Sequence, residues 1–335
     1  MRSLKEREWF YSQEKEPLPL KSPAPYEIYR LKTTGQVVCE HVLDIGLGAP
    51  VEISMLADLH LNFCTPEDMQ DEESAYTYEC RLWGRNGAHA PAAASAMYAA
   101  SFSDYTVVLG DILDFLSHGS LLLTKRYVID PYPEAMLTIG WHDITKQMQT
   151  KRPNLRTNEE RIAILESVWP HDIHYYKRPL GEELIALCLG QTHTKYSSDI
   201  TERLRNDIEE ARKCGKYIII FQHEPFSTGK ECDGRLKCHL YRTEEEQTIN
   251  LFDNATLMCR PDDTDEVNRR VYEIIKDSAD VVKAIFVGHE HFQTYSEIPA
   301  KAHTADGVTD AVIPQHVVQC TPYYKNGYYM RVTVK

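Results

Sequence analysis

Five places in the sequence share one arrangement, in which a short apolar run ends and residues of metal-binding type follow at once. The polar stretches are Asp58-Leu59-His60, Gly110-Asp111-Ile112-Leu113-Asp114, Gly140-Trp141-His142-Asp143, Gln222-His223-Glu224 and Gly288-His289-Glu290-His291. Imidazole nitrogens and carboxylate oxygens are common ligands of divalent transition metals in proteins. Each stretch alone is a weak signal, because an Asp-x-His pair is more often incidental than a ligand pair. Five of them in one chain predict a metal centre.

The apolar runs in front of these stretches predict buried strands that bring the polar residues together. The runs cover residues 51–57, 105–109, 135–139, 217–221 and 284–287. In α/β folds, residues that follow the carboxyl ends of strands converge on one crevice. A rigid sheet edge can also hold ligands within the tolerance that a metal needs.

Helical segments that lead directly into strands predict an α/β fold. Residues 199–213 carry an apolar helix face and end at Gly215, and a strand follows. A helix with Asp263 and Glu266 as its capping pair also leads into a strand. Such repetition indicates crossover units with parallel strands.

The remaining segments predict mixed sheets rather than purely parallel ones. Residues 26–32 and 36–43 predict a hairpin, and residues 316–319 and 328–334 alternate as a β-meander does. Thr157 opens a further helix through a capping box with a following glutamate. We therefore expect two mixed sheets packed together, with helices outside.

The first residues differ from the rest in composition. Residues 1–25 are charged and rich in proline, which predicts an N-terminal surface arm. No linker or repeat interrupts the remainder, so residues 26–335 are predicted to form a single domain.

Composition excludes several classes of protein. The chain of 335 residues has a formal net charge of −13 and no basic stripe, which disfavours a nucleic-acid-binding protein. No apolar run approaches the roughly 20 residues of a spanning helix, so a membrane protein is not expected. Nine scattered cysteines without a signal peptide indicate reduced thiols and a cytoplasmic protein. Cys232, Cys238 and His239 match no tight zinc knuckle, and no metal role is expected for them.

With these motifs the sequence resembles the calcineurin-like metallophosphoesterase family. That family's motifs run D-x-H, G-D-x-x-D, G-N-H-[DE], a histidine before a loop, and G-H-x-H, and the match spans residues 51–291. The resemblance implies a four-layer α/β/β/α sandwich with two mixed β-sheets and a dinuclear metal site. By that resemblance Asp58, His60 and His291 hold the first metal, His223 and His289 hold the second, and Asp111 bridges the two.

One position departs from the family pattern. Trp141 stands where the family has an asparagine that binds the second metal. An indole offers an N–H donor and no lone pair for a cation, so it cannot replace the lost carbonyl oxygen. Three readings stay open: a weakened two-metal enzyme, a one-metal enzyme, or a protein that binds and no longer cleaves.

The resemblance also implies a chemistry. Two divalent cations share a hydroxide that attacks phosphorus, and His142 lies beside the leaving-group oxygen as general acid or charge stabiliser. Asp143 either orients that imidazole or caps a helix, and Asp114 supports the loop rather than binding metal. The ligand set suits Mn, Fe and Zn alike.

The substrate is predicted only by class. Protein phosphatases of the family carry arginines at the positions of Phe115 and Ile139, so a protein substrate is disfavoured. A small phosphomonoester or phosphodiester remains, with nucleotides among the candidates. The segments expected to wall the site are residues 62–90, 191–198 and 227–260. Within or near them, the residues that could meet phosphate or a base are Arg81, Arg85, His89, His193, Tyr323 and Tyr324, and ordinary surface or packing roles are the commoner ones.

Two functions compete. The first is a metal-dependent phosphoric ester hydrolase, and the second is a non-catalytic metal-binding or protein-interaction module on the same fold. Retention of His142 beside an otherwise complete motif set favours the enzyme. A zinc hydrolase of the metallo-β-lactamase type is excluded, because the run His-x-His-x-Asp-His is absent at Gly288-His289-Glu290-His291.

Overall fold

The computed structural model of the chain describes residues 2–18, 25–144, 156–192, 195–228 and 265–335. The strands are β1 (Lys15–Pro17), β2 (Glu27–Leu31), β3 (Val37–Leu43), β4 (Val51–Leu56), β5 (Tyr105–Leu109), β6 (Met136–Thr138), β7 (Tyr175–Pro179), β8 (Leu184–Leu189), β9 (Tyr217–Phe221), β10 (Val282–Val287), β11 (Thr294–Thr304), β12 (Gly307–Val317) and β13 (Tyr328–Val334). The α-helices are α1 (Leu4–Tyr11), α2 (Glu72–Cys80), α3 (Ala90–Ala100), α4 (His118–Thr124), α5 (Trp141–Ile144), α6 (Asn158–Glu166), α7 (Ile200–Cys214) and α8 (Glu266–Lys276). None of the described helices is both long and apolar enough to span a bilayer.

The strands form two mixed sheets. The first has the order β1-β2-β3-β13-β4-β5-β6, in which β4, β5 and β6 run parallel and β13 runs antiparallel to β4. The second has the order β11-β12-β10-β9-β8-β7, in which β12, β10, β9 and β8 are parallel and both edge strands are antiparallel.

Apolar side chains divide the molecule into four layers. Met55, Phe221, Phe286 and other residues of both sheets pack into one cluster between the sheets. Helices α1, α3, α4 and α6 cover the outer face of the first sheet. Helices α7 and α8 cover the outer face of the second sheet. The predicted α/β/β/α sandwich with two mixed sheets is confirmed.

The period of two along the strands produces these layers. In β5, Val107 and Leu109 face the layer between the sheets, whereas Val108 faces the helices outside. Because both faces are covered, the strand shows an unbroken apolar run instead of alternation with polar residues. The same run positions the polar residues that follow it at the sheet edge.

Two predicted helix ends are confirmed and one is wrong. The Thr157 capping box is present, and α7 ends at Gly215. The cap of α8 is Asp265, whose carboxylate accepts the Asn268 N–H, not the predicted pair of Asp263 with Glu266. Asp263 itself lies outside the described residues.

The predicted C-terminal meander is wrong. Residues 316 and 317 belong to β12 in the second sheet, whereas β13 lies in the first sheet between β3 and β4. Alternation of polarity predicts a half-buried strand, but it carries no information about the neighbour with which that strand pairs. The long hairpin of β11 and β12, from Thr294↔Val317 to Thr304↔Gly307, also went unpredicted.

The predicted N-terminal arm carries a helix and a strand that contact the rest of the chain. The Phe10 ring of α1 stacks on Phe102 at 4.2 Å between centroids, and Phe10 is 2% exposed. The Arg7 guanidinium forms ion pairs with Glu52 and Asp104, each at 2.5 Å. Strand β1 pairs with β2. The division of the chain into an arm and one domain stays a prediction.

The docking of α1 can be tested with neighbouring aromatic residues. Phe10→Ala should lower the free energy of unfolding by about 3–5 kcal/mol, because it removes a buried ring from a packed cluster. Trp9→Ala is the matched control, since Trp9 is 56% exposed on the same helix, and it should cost less than about 0.5 kcal/mol. Urea unfolding measures both. If the two substitutions lower the free energy of unfolding by the same small amount, α1 is not packed against the rest of the chain.

Candidate metal centre

The six predicted ligands lie together where the central strands of both sheets end. Asp58 and His60 follow β4, Asp111 follows β5, His223 follows β9, and the last pair follows β10. Within the described residues the candidate ligand atoms form three groups, and the atoms of each group lie within 4.8 Å of one another. One joins His60 to Asp114 and His142. The other two consist of the predicted ligands: Asp58, His60 and His291 form the first group, and Asp111, His223 and His289 form the second. The carboxylates of both groups are buried.

The first group is compact. His60 Nε2 lies 3.2 Å from His291 Nε2 and 3.9 Å from Asp58 Oδ1, and His291 Nε2 lies 3.3 Å from the same carboxylate oxygen. Donor atoms that each reach one cation at about 2.0–2.2 Å are separated by distances of this order. The Asp58 carboxylate is fixed by the backbone N–H of His289, which donates to it.

The second group is joined to the first by Asp111. His223 Nε2 lies 3.0 Å from Asp111 Oδ2 and 3.3 Å from His289 Nδ1. The same Oδ2 atom lies 3.9 Å from His60 Nε2 of the first group. One carboxylate oxygen therefore faces both groups, which is the position predicted for the bridging residue.

Backbone strain is concentrated at this centre. Among the described residues six non-glycine positions have positive φ, and five of them are predicted ligands: Asp58, His60, Asp111, His289 and His291. Such conformations cost of order 1–3 kcal/mol each and persist only where the surrounding structure enforces them. Their clustering indicates that this edge is shaped for a function.

Gly140 allows the loops to approach closely. A Cβ atom at this position would lie 2.4 Å from Asp111 Oδ1 and 2.5 Å from a ring carbon of His223. The loop that leads into α5 thus packs directly on the second group, and only a glycine fits there.

Hydrogen bonds orient two of the imidazoles. The His60 Nδ1 atom lies 3.0 Å from Asp114 Oδ1, and the His223 Nδ1 atom lies 2.7 Å from the Leu109 carbonyl oxygen. Because both partners are acceptors, each Nδ1 carries a proton, and each Nε2 is the ring nitrogen that faces the cluster. A carboxylate behind a histidine is the usual support of a metal ligand.

Buried carboxylates and imidazoles shift one another's pKa values at this centre. Burial alone would lower the pKa of the His223 imidazole, but the carboxylates of Asp111 and Asp58 raise it to about 10. Burial alone would raise the pKa of the Asp111 carboxyl, but His223 holds it well below its usual range. Two buried carboxylates thus draw a positive charge, and a divalent cation fits the mixed set of oxygen and nitrogen donors.

Asp114 supports the centre, as predicted, rather than solvating the surface. Its carboxylate binds His60, accepts the Asn62 side-chain N–H at 2.8 Å, and pairs with the Arg81 guanidinium through two hydrogen bonds. Arg81 is therefore engaged with a buried carboxylate rather than being an ordinary surface residue. It neutralises a carboxylate that positions a predicted ligand.

The His142 imidazole is held by Asp114 and not by Asp143. His142 Nδ1 lies 2.9 Å from the Asp114 carbonyl oxygen, and the His142 backbone N–H donates to Asp111. The Asp143 carboxylate accepts the backbone N–H groups of Leu113 and Gly140, at 2.8 Å each. Asp143 also lies inside α5. The bond from the Gly140 N–H fits the predicted helix-capping role, the bond from Leu113 links the two loops, and a role of Asp143 in the reaction stays a prediction.

Trp141 is the first residue of α5, directly after the glycine that packs on the second group. Its indole Nε1 atom is buried and has no hydrogen-bond partner within the described part of the chain. Its ring centroid lies 6.4 Å from that of His142. The tryptophan thus brings an unused donor, and no acceptor, to the region of the missing asparagine.

Two glutamates next to the ligands were not predicted. Glu224 follows His223, and Glu290 lies between the last two ligands, and both are buried. Neither Glu224 carboxylate oxygen has a partner among the described atoms, and the same holds for Glu290 Oε1. Burial raises the pKa of Glu224 to about 8 and that of Glu290 to about 7. Both lie within the polar stretches that predict the metal centre, but the family motifs assign neither of them a role.

The predicted substrate wall at residues 62–90 lies against the first group. Trp83, which no pattern in the sequence singled out, contacts the rings of two predicted ligands, His60 and His291. His89 bonds to the His60 carbonyl, and Arg85 lies over the Tyr78 ring, so neither is an unengaged surface residue.

The other wall predictions have mixed outcomes. Tyr324 is buried and stacks on Tyr328, which fits the packing role rather than base stacking. His193, the segment 229–260, and the cysteine pair with His239 lie outside the described residues.

No protein-family model and no curated protein matches the sequence. Solved structures do resemble it in fold. The purple acid phosphatase PPD1 from yellow lupin (Lupinus luteus) aligns with 11% identity and a TM-score of 0.44, over 92% of this chain and 48% of that one. A dimetal phosphatase from Danio rerio aligns with 11% identity and a TM-score of 0.39, over 81% of this chain and 88% of that one.

A third solved structure, a 5′-nucleotidase described as putative from Staphylococcus aureus, aligns with 12% identity and a TM-score of 0.37. The alignment covers 80% of this chain and 54% of that one. This chain thus spans about half the length of the lupin and Staphylococcus proteins. At these TM-scores the likenesses carry no argument, so function is argued from the residues of this chain.

Proposed function

We propose that the chain is a metal-dependent phosphoesterase related to the calcineurin-like metallophosphoesterases, acting on a small phosphomonoester or phosphodiester. The observation that supports this best is the geometry of Asp111, whose Oδ2 atom faces two groups of buried donors at once. A site for one metal requires only one group of donor atoms, whereas the Asp111 carboxylate lies between two such groups.

The two groups would hold one divalent cation each. Asp58, His60 and His291 would bind the first, and Asp111, His223 and His289 would bind the second, with Asp111 reaching both. When bound, such cations supply Lewis acidity toward the phosphoryl oxygens and lower the pKa of the attacking water.

His142 would act on the leaving group. Its side chain is 19% exposed and its ring packs edge-on against His60 at 4.8 Å, so it borders the first group without joining it. Because its Nδ1–H donates to the Asp114 carbonyl, Nε2 is the atom that remains to face substrate. From there it would give a proton to the leaving-group oxygen or stabilise the charge that develops on it.

The competing function is a non-catalytic module on the same fold. Trp141 favours it, since an indole cannot bind a cation and the second group keeps only three protein ligands. Three ligands with solvent can still make a working site, so the departure predicts a weaker second metal rather than no metal.

Asp111→Asn should remove most bound metal and the phosphoesterase activity, because the amide is neutral and its nitrogen cannot bind a cation. Metal affinity should fall by more than the roughly 10–100-fold that loss of a supporting residue costs. Metal content by elemental analysis and hydrolysis of an aryl phosphate measure the two effects. Asp306→Asn, in the exposed turn between β11 and β12, is the matched control. Near-normal metal content in Asp111→Asn would contradict the dinuclear assignment.

His142→Ala should keep the metal and slow turnover by about 10²–10⁴-fold, the usual contribution of a positioned acid. The loss should be largest for alkyl phosphates and smallest for 4-nitrophenyl phosphate, whose leaving group needs no proton. Steady-state kinetics on the two substrates, with elemental analysis, measure this. His303→Ala serves as control, because that side chain pairs with Asp277 on the surface. Loss of metal would show that His142 is a ligand and that its proposed role is wrong.

Trp141→Asn should tighten the second metal and raise the rate, because it restores an oxygen ligand. The wild-type protein should bind its second metal weakly, so that excess Mn²⁺ raises its activity, whereas the variant should need less. Titration of the metal-free proteins with Mn²⁺ by calorimetry, beside turnover, measures the two affinities. If the substitution changes neither, Trp141 does not occupy the ligand position. Two bound metals without cleavage of any ester would instead support the non-catalytic module.

A further inference from the structure

An exposed tryptophan borders the first group of ligands. The Trp83 ring lies 4.6 Å from the His60 ring and 5.0 Å from the His291 ring, measured between centroids. Trp83 is nevertheless 40% exposed, whereas His60 beneath it is buried. A large aromatic side chain therefore presents open surface directly beside the candidate metal ligands.

The backbone holds Trp83 in this position. Its carbonyl oxygen accepts the Asn62 side-chain N–H at 3.2 Å, and Asn62 also donates to Asp114. The next residue, Gly84, has φ +68°, and a Cβ atom there would lie 2.7 Å from the His60 carbonyl oxygen. The chain at this point is pressed against the backbone of a candidate ligand, so the ring is presented on a fixed support.

The exposed part of the ring has no structural use that the described residues reveal. His89 packs edge-on against it at 4.7 Å and accounts for a further part of its contacts. If Trp83 served only to cover His60, a smaller apolar residue that is itself buried would be enough. An indole that is held in place and 40% exposed leaves part of an aromatic ring open to solvent, and aromatic rings of ligands stack on such side chains.

We propose that Trp83 is a specificity-determining residue that stacks on a flat aromatic group carried by the leaving-group alcohol of the substrate. The proposal rests on the phosphoesterase function above. Both His142, which would meet the leaving-group oxygen, and Trp83 pack on the same His60 ring. Both side chains therefore border the same candidate ligand, and the proposal places the leaving group between them. A nucleobase on ribose and a simple aryl ring share this chemistry.

Two matched pairs of phosphomonoesters test the proposal with Mn²⁺ present. AMP and ribose 5-phosphate share a primary alcohol leaving group and differ in the base. Benzyl phosphate and cyclohexylmethyl phosphate differ in the planarity of the ring. Trp83→Ala should lower the AMP to ribose 5-phosphate ratio of kcat/KM by roughly 5- to 100-fold, the range for loss of one base stack. Trp83→Phe should retain most of the ratio.

Trp9→Ala is the matched control, because Trp9 is also an exposed tryptophan and its helix α1 contacts the opposite ends of β4 and β5. It should leave both ratios unchanged. If Trp83→Ala lowers the kcat/KM ratio only for AMP against ribose 5-phosphate, the stacking group is a nucleobase. If it lowers the ratio only for benzyl against cyclohexylmethyl phosphate, the stacking group is a simple aryl ring. Equal losses on all four esters, or no loss, would overturn the proposal and leave Trp83 a packing residue.

A binding measurement separates this proposal from the proposed function. If wild type cleaves none of the four esters, calorimetric titration with AMP and with ribose 5-phosphate decides. Tighter binding of AMP that Trp83→Ala abolishes would support the stacking role although the phosphoesterase fails. Equal binding of the two esters by wild type would overturn it.

Discussion

Two buried carboxylates, those of Asp58 and Asp111, impose the constraint on which the rest of the centre depends. An isolated charge in a protein interior is too costly to persist, so it must be paired or it must lose its charge. Here the imidazoles supply the compensation, and the high pKa of His223 records how strongly the carboxylates draw a positive charge. The surrounding backbone accepts five unfavourable φ angles to keep these groups in contact. That combination of strain and buried charge is stable only where the packing of both sheets enforces it.

The layered fold meets this demand through its strand ends. Strands β4 and β5 of one sheet and β9 and β10 of the other end at the same place, so residues from both sheets reach one cluster. Asp114 then ties the parts together. Its carboxylate holds His60 from behind, its carbonyl holds His142, and Arg81 balances its charge. The group that would bind a cation and the group that would meet the leaving oxygen are thus set by a single residue.

The sequence allowed the ligands to be predicted because each is adjacent to the apolar run that positions it. Short-range pattern was enough to predict that His60 and His223 meet at one cluster, whereas the four-layer fold was predicted from the family resemblance of the motifs. It was not enough for Asp143, whose two backbone partners lie on different loops, or for the Arg81 pair, which joins residues far apart in the chain. Trp83 was not predicted for the same reason, because its place beside the centre depends on the His60 and His291 rings, and the latter is far away in the sequence. The pairing of β13 shows the limit most clearly: polarity identifies a strand and leaves its neighbours undetermined.

That central strand also governs how the molecule can assemble during synthesis. Strands β3 and β4 lie close in sequence but do not pair, because β13 inserts between them, with Tyr328 opposite Val37 and Val334 opposite Val51. The first sheet therefore remains in two halves until residue 334 has left the ribosome. Pairings of such long sequence separation are slow to form, and the unpaired edges of β3 and β4 stay open meanwhile. Until β13 is in place, a nascent chain of this protein consequently carries two strand edges with which another chain can pair.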